Sequence, residues 1–597
     1  MKKFYFAVLF LLGISMSMLH SEVSHLIIAP ADFLESAYEL ADYFEEEYGI
    51  EREVHDIDEI ISGADDASEA LYDYLEAHFE EPGIETEGSS VLLLGSGTQD
   101  WESGSIRNRI PVYEKVGIMS DSWFVDFDED HRADVAIGRI PASTEDEISG
   151  YLNRYFSYLE NESSGLWQRR LLFCADDEMK TGEIEGSTPL SGMNHSARSD
   201  DLMNSIEDYY LKRQVYGIDY EANDDGYKPA ARNDIIEILN EGVNLWCYTG
   251  HSWTTTLGDE HYFSEEDVAD LANNGRRGFM FVAGCETGDF GNETPCLAEQ
   301  LLFAGSGGII GSYAPTESTG PTSNNQMGMV LLSALCNDNC SWGEAMLEAQ
   351  YNSAASVSNT IKFNILGDPL AWLSNGTAND LITGEEIENM LPGEELSFAW
   401  QCEPSCTEAI LAVVNASSYI EYSHTLEDVT YEYNRWCPGN VVYSMISPVA
   451  GGWGYAQFTV PEEIVEGNDG RIVCFSESEA GETLSWFSGD IQMGDNNGEE
   501  PDIVPAGAMQ LSNYPNPFNP VTTIRYYLPE EGNSELSIYN IKGNLVRKLV
   551  SDSESEGWHE HLWDGRDQSG RSTSSGIYII KLASEDQSLN RKISLIK

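Results

Sequence analysis

The stretch GFMFVAGCETGDFG, residues 278–291, joins an apolar run directly to a polar turn rich in glycine. The apolar run, residues 279–282, is typical of a strand that is buried on both faces of a sheet. Cys285 follows immediately, at the point where such a strand ends. This thiol is either an ordinary core cysteine or a nucleophile presented at the carboxyl edge of the sheet.

Apolar strands and amphipathic helices alternate on both sides of this stretch. A first α/β unit begins at residue 24, and a second unit begins near Leu166, with strands at 170–177, 213–218, 242–251, 278–285 and 307–313. Near-continuous apolar strands separated by helices predict an α/β fold, a mostly parallel sheet with flanking helices in two α/β subdomains. In such sheets, functional residues gather beyond the carboxyl ends of the strands.

Composition shifts along the chain predict six segments. These are a signal peptide (1–21), an N-terminal α/β subdomain (22–165), a second α/β subdomain that carries the candidate site (166–378), an Ig-like β-sandwich (379–493), a polar linker (494–507) and a small C-terminal β-sandwich (508–597). The β assignments depend on alternating aromatic and β-branched residues between turn signals.

The N-terminal residues and the charge both indicate an exported protein. Two lysines precede a short apolar run at 4–12, which predicts a secretory signal peptide cleaved near residues 17–22. No later segment has the roughly 20 apolar residues of a spanning helix. The 102 Asp and Glu residues against 32 Lys and Arg residues give a net charge of -70, which argues against nucleic-acid binding.

The chain contains ten cysteines, and export permits disulfides. Three pairs are candidates: Cys336 with Cys340, Cys402 with Cys406, and Cys437 with Cys474. Sequence alone does not prove any pairing, and the spacings do not form a convincing zinc site.

Two strands of the second subdomain end in reactive side chains, His251 and Cys285. If those strands are neighbours, both side chains emerge at one edge of the sheet. An imidazole there accepts the thiol proton or stabilises the thiolate, which then attacks a carbonyl carbon. The backbone amides of Cys285 and Ser252 are the expected donors to the oxyanion. Alone, either residue is more often structural than catalytic, but the combination favours catalysis.

The residues around this pair resemble the catalytic segments of gingipain-type cysteine peptidases, peptidase family C25, which have a caspase-like fold. The resemblance rests on Tyr-Thr-Gly-His at 248–251, on Cys-Glu-Thr-Gly-Asp-Phe at 285–290 and on Pro-Cys-Leu-Ala-Glu at 295–299. The segments at 120–141, ending near Gly-Arg, and at 366–373, LGDPLAWL, extend it over about residues 24–375. It implies a cysteine endopeptidase that acts on proteins or peptides, with Cys285 as nucleophile and His251 as its base or ion-pair partner.

The same resemblance implies a third, acidic residue near the histidine. Asp177 aligns best with it, and Asp176 is the rival. Three features depart from the family pattern. Ser252 stands where glycine is usual, and Gly192 stands where the acidic residue of an arginine pocket precedes a histidine, here His195. The α/β region also begins so close to the signal peptide that a long inhibitory propeptide is not expected.

The segment DFDEDHRAD places carboxylates at Asp126, Asp128, Asp130 and Asp134. Hard oxygen ligands clustered in this way suit a structural calcium ion, and a solvated acidic loop is the alternative. The spacing is not that of an EF-hand, since His131 stands where that motif has its glycine. No organic cofactor is expected.

The tail resembles the C-terminal sorting domain of type IX (Por) secretion, on the signature Asn-Tyr-Pro-Asn-Pro-Phe-Asn-Pro at 513–520 and on the strands that follow to residue 597. This implies passage through the periplasm, contact with the type IX machinery and a secreted or cell-surface location. The alternative function is a non-catalytic surface adhesin or secretion-system component that retains a gingipain-like domain.

Overall fold

The structure is a computed structural model of the chain. It describes residues 22–597 except 162, 178, 181–182, 185–193, 208, 385–386, 427–428, 479–482, 495–509, 515–519, 529–531, 541–543, 556, 575, 585–586 and 596–597. The predicted signal peptide, most of the predicted linker and the centre of the tail signature therefore lie outside the described residues.

One ten-stranded sheet forms the centre of the α/β region. Its strands are β1 Glu22–Ala29, β2 Glu53–Asp56, β3 Ile84–Leu94, β4 Ala136–Ile140, β5 Arg170–Ala175, β6 Leu211–Tyr216, β7 Leu245–Thr249, β8 Phe279–Ala283, β9 Gly311–Pro315 and β10 Phe363–Leu366. The strand order across the sheet is β6-β5-β7-β8-β9-β10-β4-β3-β1-β2. The α/β fold predicted from the apolar runs is confirmed.

The two predicted α/β subdomains are the two halves of this single sheet. Neighbouring strands are parallel throughout except at the seam, where β9 and β10 are antiparallel. Strand β10 follows the second half in the sequence but pairs in parallel with β4 of the first half. The strands of the two halves therefore run in opposite directions, and each half presents its own carboxyl edge.

Helices connect these strands and bury their apolar faces against the sheet. They are α1 Leu34–Tyr48, α2 Ile57–Ile60, α3 Ala67–Phe79, α4 Glu145–Leu159, α5 Asn194–Asn204, α6 Pro229–Glu241, α7 Leu297–Phe303, α8 Pro321–Cys336, α9 Trp342–Asn352 and α10 Val357–Thr360. In α3, Leu71, Leu75 and Phe79 recur at four-residue spacing and are buried, while Asp66 caps the first turn. Helical periodicity in the sequence therefore identified real core-facing helices.

A β-only region follows and packs against the second half of the sheet. Its strands are Thr377–Asp380, Asn389–Met390, Glu395–Gln401, Glu408–Val414, Ser418–Leu426, Val429–Cys437, Val441–Ala450, Trp453–Thr459, Gly467–Glu477, Thr483–Phe487 and Ile491–Met493. The hairpin of Ser418–Leu426 and Val429–Cys437 reaches β6, where buried Arg435 pairs with Asp219 and lies 4.4 Å above the Tyr216 ring. This region and the α/β region belong to one compact unit, which ends at Asn496.

The remaining residues form a second compact unit. One of its sheets contains Gln510–Tyr514, Thr522–Leu528 and Gly557–Trp563, and the other contains Gly532–Asn540, Leu545–Glu554, Gly576–Ser584 and Gln587–Leu595. Side chains of both sheets share one apolar core, which includes Ile524, Trp563, Ile538 and Ile580. Within the described part of the chain, no helix combines the length and apolarity needed to cross a membrane.

None of the three predicted disulfides is formed in the structure, in which all ten cysteines are free thiols. Cys437 ends the hairpin that docks on β6, whereas Cys474 lies within a central strand of the β-only region, beside Cys402. Cys402 and Cys406 are neighbours, and burial raises the pKa of Cys402 to about 12.

A buried ion pair joins β10 to the N-terminal half. Arg52 donates to Asp368, with Nη1–Oδ2 and Nη2–Oδ1 distances of 2.7 and 3.2 Å, and both side chains are fully buried. The Tyr155 hydroxyl donates to the same carboxylate at 3.3 Å. The carboxylate of the LGDPLAWL segment thus secures the strand that closes the sheet.

We expect Asp368→Asn to lower the free energy of unfolding by about 3–5 kcal/mol, because it leaves the Arg52 charge buried without a counter-charge. Asp32→Asn is the matched control, since Asp32 pairs with Arg109 at the surface and should contribute less than about 1 kcal/mol. Urea unfolding followed by tryptophan fluorescence measures both variants. Equal effects of the two variants would contradict a structural role for the buried pair.

Candidate active site

Strands β7 and β8 are parallel neighbours, and their register brings His251 and Cys285 to the same edge. Thr249 pairs with Ala283 at the end of the ladder, and the Gly250 amide extends it by donating to the Ala283 carbonyl at 3.3 Å. His251 and Cys285 each come two residues after that last pair. The adjacency on which the sequence prediction depended is therefore present.

The main chain of His251 is fixed by three hydrogen bonds. Its amide donates to Asp176 Oδ2 at 3.1 Å, and its carbonyl accepts from the Tyr248 hydroxyl at 2.7 Å and from the Gly258 amide at 2.9 Å. A side chain at Gly250 would collide with Asp176, since a Cβ there would lie 2.2 Å from the Asp176 Cβ. The Tyr-Thr-Gly-His sequence thus permits close packing of the histidine loop on the end of β5.

The imidazole of His251 lies beside another histidine. The ring of His195, at the beginning of α5, is buried and contacts the His251 ring edge-on, with the centroids 5.3 Å apart. Gly192, the position of the family's acidic pocket residue, lies outside the described residues.

Cys285 is half-buried and begins a tight turn. Glu286 adopts a left-handed conformation with φ of 53°. Both the amide and the hydroxyl of Thr287 donate to the Cys285 carbonyl, at 2.6 and 3.0 Å. The turn therefore holds the backbone of the thiol residue at the rim of the sheet.

Ser252 connects the histidine loop to the cysteine turn. Its hydroxyl accepts from the Cys285 amide at 2.6 Å and donates to the Cys285 carbonyl at 2.7 Å. In this arrangement the Cys285 amide, one of the two predicted oxyanion donors, is directed at the Ser252 hydroxyl. The departure from glycine at this position thus adds a direct bond between the two candidate catalytic segments.

The acidic residues that end β5 lie in a buried charged cluster. Asp177 pairs with Lys228, whose Nζ also donates to the Gly217 carbonyl at 2.8 Å. Carboxylate oxygens of Asp176, Asp177 and Glu260 all lie within 4.8 Å of one another. Burial raises the pKa of Asp176 well above its ordinary value, and the neighbouring Glu260 carboxylate adds to the shift.

Burial raises the pKa of Glu260 as well and lowers that of Lys228. Of the two predicted acidic candidates, Asp176 contacts the His251 main chain and Asp177 contacts Lys228. The single ammonium group balances only part of the negative charge, and this favours retention of a proton within the cluster.

The N-terminal half of the sheet supports the cysteine segment through two buried arginines. Arg139 of β4 makes two hydrogen bonds to Asp121, at 2.8 and 2.6 Å, and its guanidinium lies 4.9 Å from the Phe290 ring centroid. Arg107 pairs with the buried carboxylate of Glu299 at 2.5 Å and donates to the Phe290 carbonyl at 3.3 Å. The two arginines thus position the chain just after the cysteine turn.

Three of the four predicted calcium ligands lie together. Asp126, Asp128 and Asp130 place carboxylate oxygens within 4.8 Å of one another, a separation compatible with ligands about 2.3–2.6 Å from one Ca²⁺ ion. Asp134 lies outside this group of three and accepts from the Phe127 amide at 2.8 Å. His131, which stands at the position of the EF-hand glycine, is left-handed with φ of 69°.

Sequence reasoning did not identify Lys228, Glu260 or Thr319 as parts of the site. Lys228 and Glu260 reach it from loops without a motif. Thr319, whose amide donates to Cys285 Sγ at 3.4 Å, follows the end of β9, which pairs with the cysteine strand β8. Polar residues that follow the strand next to the cysteine strand were the sequence signal that could have identified Thr319.

The fold and this rim define an α/β protein that presents a thiol and an imidazole from neighbouring parallel strands. Residues 19–374, more than half of the chain, match the model of peptidase family C25, and residues 520–588 match the model of the FlgD Ig-like domain. The chain therefore belongs to peptidase family C25, a family of cysteine peptidases.

Curated relatives include gingipain R2 and gingipain R1 of Porphyromonas gingivalis. Each is 28% identical over 197 residues, which is 33% of this chain and 25% and 18% of the respective relatives. The chain thus matches a quarter or less of the length of these relatives.

Among solved structures, the Arg-specific cysteine proteinase gingipain R aligns with 80% of this chain and 99% of its own, at 18% identity and a TM-score of 0.49. Dimeric latent PorU from Porphyromonas gingivalis aligns with 97% of this chain and 64% of its own, at 13% identity and a TM-score of 0.34.

We expect Asp176→Asn to flatten the pH dependence of stability. A raised carboxyl pKa means that the native state binds more protons than the unfolded state above the ordinary value of 3.8. The contribution of Asp176 to stability is therefore largest at low pH and is lost as pH rises through its native pKa, by up to about 1.4 kcal/mol per pH unit. The asparagine mimics the protonated acid, so the variant should gain stability relative to the native sequence as pH increases.

Urea unfolding midpoints between pH 5 and 8 measure this difference, with Asp32→Asn as the exposed control. A difference between native protein and Asp176→Asn that does not change with pH would show that Asp176 is already ionised in the folded state.

Proposed function

We propose that the protein is a cysteine endopeptidase with Cys285 as its nucleophile and His251 as the base or ion-pair partner. The observation that carries this proposal is the register of β7 and β8, which ends both strands at one rim with the two residues in equivalent positions. The Ser252 bridge to both backbone groups of Cys285 supports it, because it ties the two loops together.

In the proposed reaction, the imidazole of His251 takes the thiol proton, and the thiolate attacks the carbonyl carbon of a peptide bond. The proton passes to the leaving amine, a thioester forms on Cys285, and water hydrolyses it. The amides of Ser252 and Cys285 are the proposed oxyanion donors. For Cys285, this requires the substrate oxygen to replace the Ser252 hydroxyl as acceptor of the amide.

The buried carboxylates at the end of β5 complete the proposed site. Asp177 retains the proposed role of the third, acidic member, with its charge balanced by Lys228. Asp176 supports the histidine through the main-chain amide of His251. Proteins and peptides are the proposed substrates.

We also propose that the chain is secreted or held at the cell surface, with its tail as a type IX sorting domain that contacts that secretion machinery. The acidic composition and the N-terminal signal pattern support export. The double-sheet fold of the second compact unit is compatible with a separate sorting module.

We expect Cys285→Ala to reduce cleavage of a mixed peptide library at least about a thousandfold, because the nucleophile is lost. In the native protein, iodoacetamide should modify Cys285 selectively, and His251→Ala should slow that modification. Mass spectrometry of library products and of the Cys285 peptide measures the two effects.

Cys340→Ser is the matched control, since Cys340 is another half-buried thiol and its loss should leave cleavage unchanged. An inert Cys285 together with an uncleaved library would favour the non-catalytic adhesin. Cleavage that persists in Cys285→Ala would assign the activity to another residue.

The acidic loop is a proposed structural calcium site with Asp126, Asp128 and Asp130 as ligands. Its donor set is all oxygen, which suits Ca²⁺. Arg132 donates to Asp130 at 2.8 Å and the His131 amide to Asp126 at 3.2 Å, so the loop is already ordered around these carboxylates.

We expect millimolar CaCl₂ to raise the thermal unfolding midpoint, and Asp128→Asn to remove most of the increase because it removes a charged ligand. Binding at about 100 times Kd stabilises the folded state by about 2.7 kcal/mol. Differential scanning calorimetry with CaCl₂, MgCl₂ or EDTA measures the effect, with Asp32→Asn as control. An equal calcium response in Asp128→Asn would refute the proposed ligand set.

A further inference from the structure

A third strand end contacts the candidate nucleophile. The chain leaving β9, residues 316–320, passes over the cysteine turn, and the Thr319 amide donates to Cys285 Sγ at 3.4 Å. The same segment is tied to the turn nearby, where the Glu286 amide donates to the Glu317 carbonyl at 3.4 Å. The thiol therefore has a backbone N–H partner that belongs to neither catalytic segment.

The hydroxyl of Thr319 is committed to other partners. It donates to the Gly284 carbonyl and accepts from Asn324 Nδ2 at 2.7 Å. A hydroxyl has only one proton to donate. Although Thr319 Oγ1 lies 4.0 Å from Cys285 Sγ, the group of Thr319 that donates to sulfur is therefore its main-chain amide.

Two buried asparagines hold this segment in place. Asn324 accepts at its Oδ1 from Asn359 Nδ2 at 2.8 Å, and Asn359 Oδ1 accepts from the Gly320 amide at 2.6 Å. Both side chains are less than 7% exposed. Together they connect the Thr319 hydroxyl and the Gly320 amide to α8 and α10.

The segment also leads directly into a long helix. Gly320 is the N-cap of the 16-residue helix α8, so Thr319 immediately precedes the helix N-terminus. A helix N-terminus carries partial positive charge, and cysteines near such termini form thiolates more readily. The amide contact and the helix favour the same ionised form of Cys285.

We propose that the Thr319 backbone amide, presented at the N-terminus of α8, stabilises the Cys285 thiolate independently of His251. Asn324 and Asn359 act as positioning residues for that amide. The inference rests on the proposed role of Cys285 as the nucleophile. The chain after β9 thus contributes to stabilising the thiolate, in addition to the histidine that follows β7.

The rate of iodoacetamide modification of Cys285, measured against pH on the full chain, tests this inference. We expect Asn324→Ala to shift the midpoint of the rate profile to higher pH and to lower the rate at neutral pH about tenfold, because the Thr319 hydroxyl loses its anchor and the Thr319 amide is no longer held at hydrogen-bonding distance from the charged sulfur. Thr319→Pro removes the N–H itself and should have at least as large an effect.

Asn325→Ala is the matched control, because this neighbouring amide on α8 bonds to Asp201 instead. Asn359→Ala loosens the segment from its other side and gives an independent reading. Only variants whose unfolding midpoints match that of the native protein are compared. Adding His251→Ala to each variant shows whether the effect of the Thr319 segment is separate from the effect of the histidine. For library cleavage, Asn324→Ala should lower kcat with little change in KM.

Unchanged rate profiles in Asn324→Ala, Asn359→Ala and Thr319→Pro would overturn the inference, even if the native protein cleaves peptides. A native protein that cleaves no peptide, but whose Cys285 profile shifts in these variants, would instead refute the proposed function and retain the thiolate contact. A shift that disappears in the His251→Ala background would show that the segment acts only through the histidine, which also contradicts the inference.

Discussion

The candidate site depends on the parallel pairing of β7 with β8 in one register. With Thr249 opposite Ala283, the next residues of both strands leave the sheet together, and His251 and Cys285 reach the rim at the same height. A shift of one residue would reverse the side-chain directions of one strand relative to the other. The fully buried positions of both strands oppose such a shift, since it would move large apolar side chains out of the layers they fill.

Both halves of the sheet contribute to the cysteine segment, although only the second half carries the thiol and the imidazole. Arg139 and Arg107 belong to the first half, and they meet the segment at Phe290 and Glu299. Buried guanidinium groups are retained where several acceptors converge, as they do around Arg139, which also donates to the Gly95 and Pro111 carbonyls at 3.0 Å. The Gly-Arg segment, in which this chain resembles the family, therefore supports the chain just after the cysteine turn.

The sequence predicted the elements of the fold better than their pairing. Apolar runs and helical periodicity identified the strands and helices because both patterns report burial. The position of β10 between β9 and β4 was not predicted, since no local pattern encodes which distant strand is a neighbour. Spacing alone did not distinguish Asp176 from Asp177, which are adjacent in the sequence. Adjacent residues at a strand end point to opposite sides, and spacing does not tell which side faces the histidine. The contact of Thr319 with Cys285 depends on a loop path, which a motif in either catalytic segment does not contain.

The placement of β10 has a consequence for how the chain matures. Strands β1 to β4 lie in the first part of the sequence. The second neighbour of β4 is β10, residues 363–366, which follows the whole second half of the sheet in the sequence. Until β10 pairs with it, β4 is an edge strand, and exposed edges recruit foreign strands. Closure requires contacts of long sequence separation, which form slowly. Truncation before residue 363 would therefore leave β4 as an exposed edge strand, open to pairing with a strand of another chain.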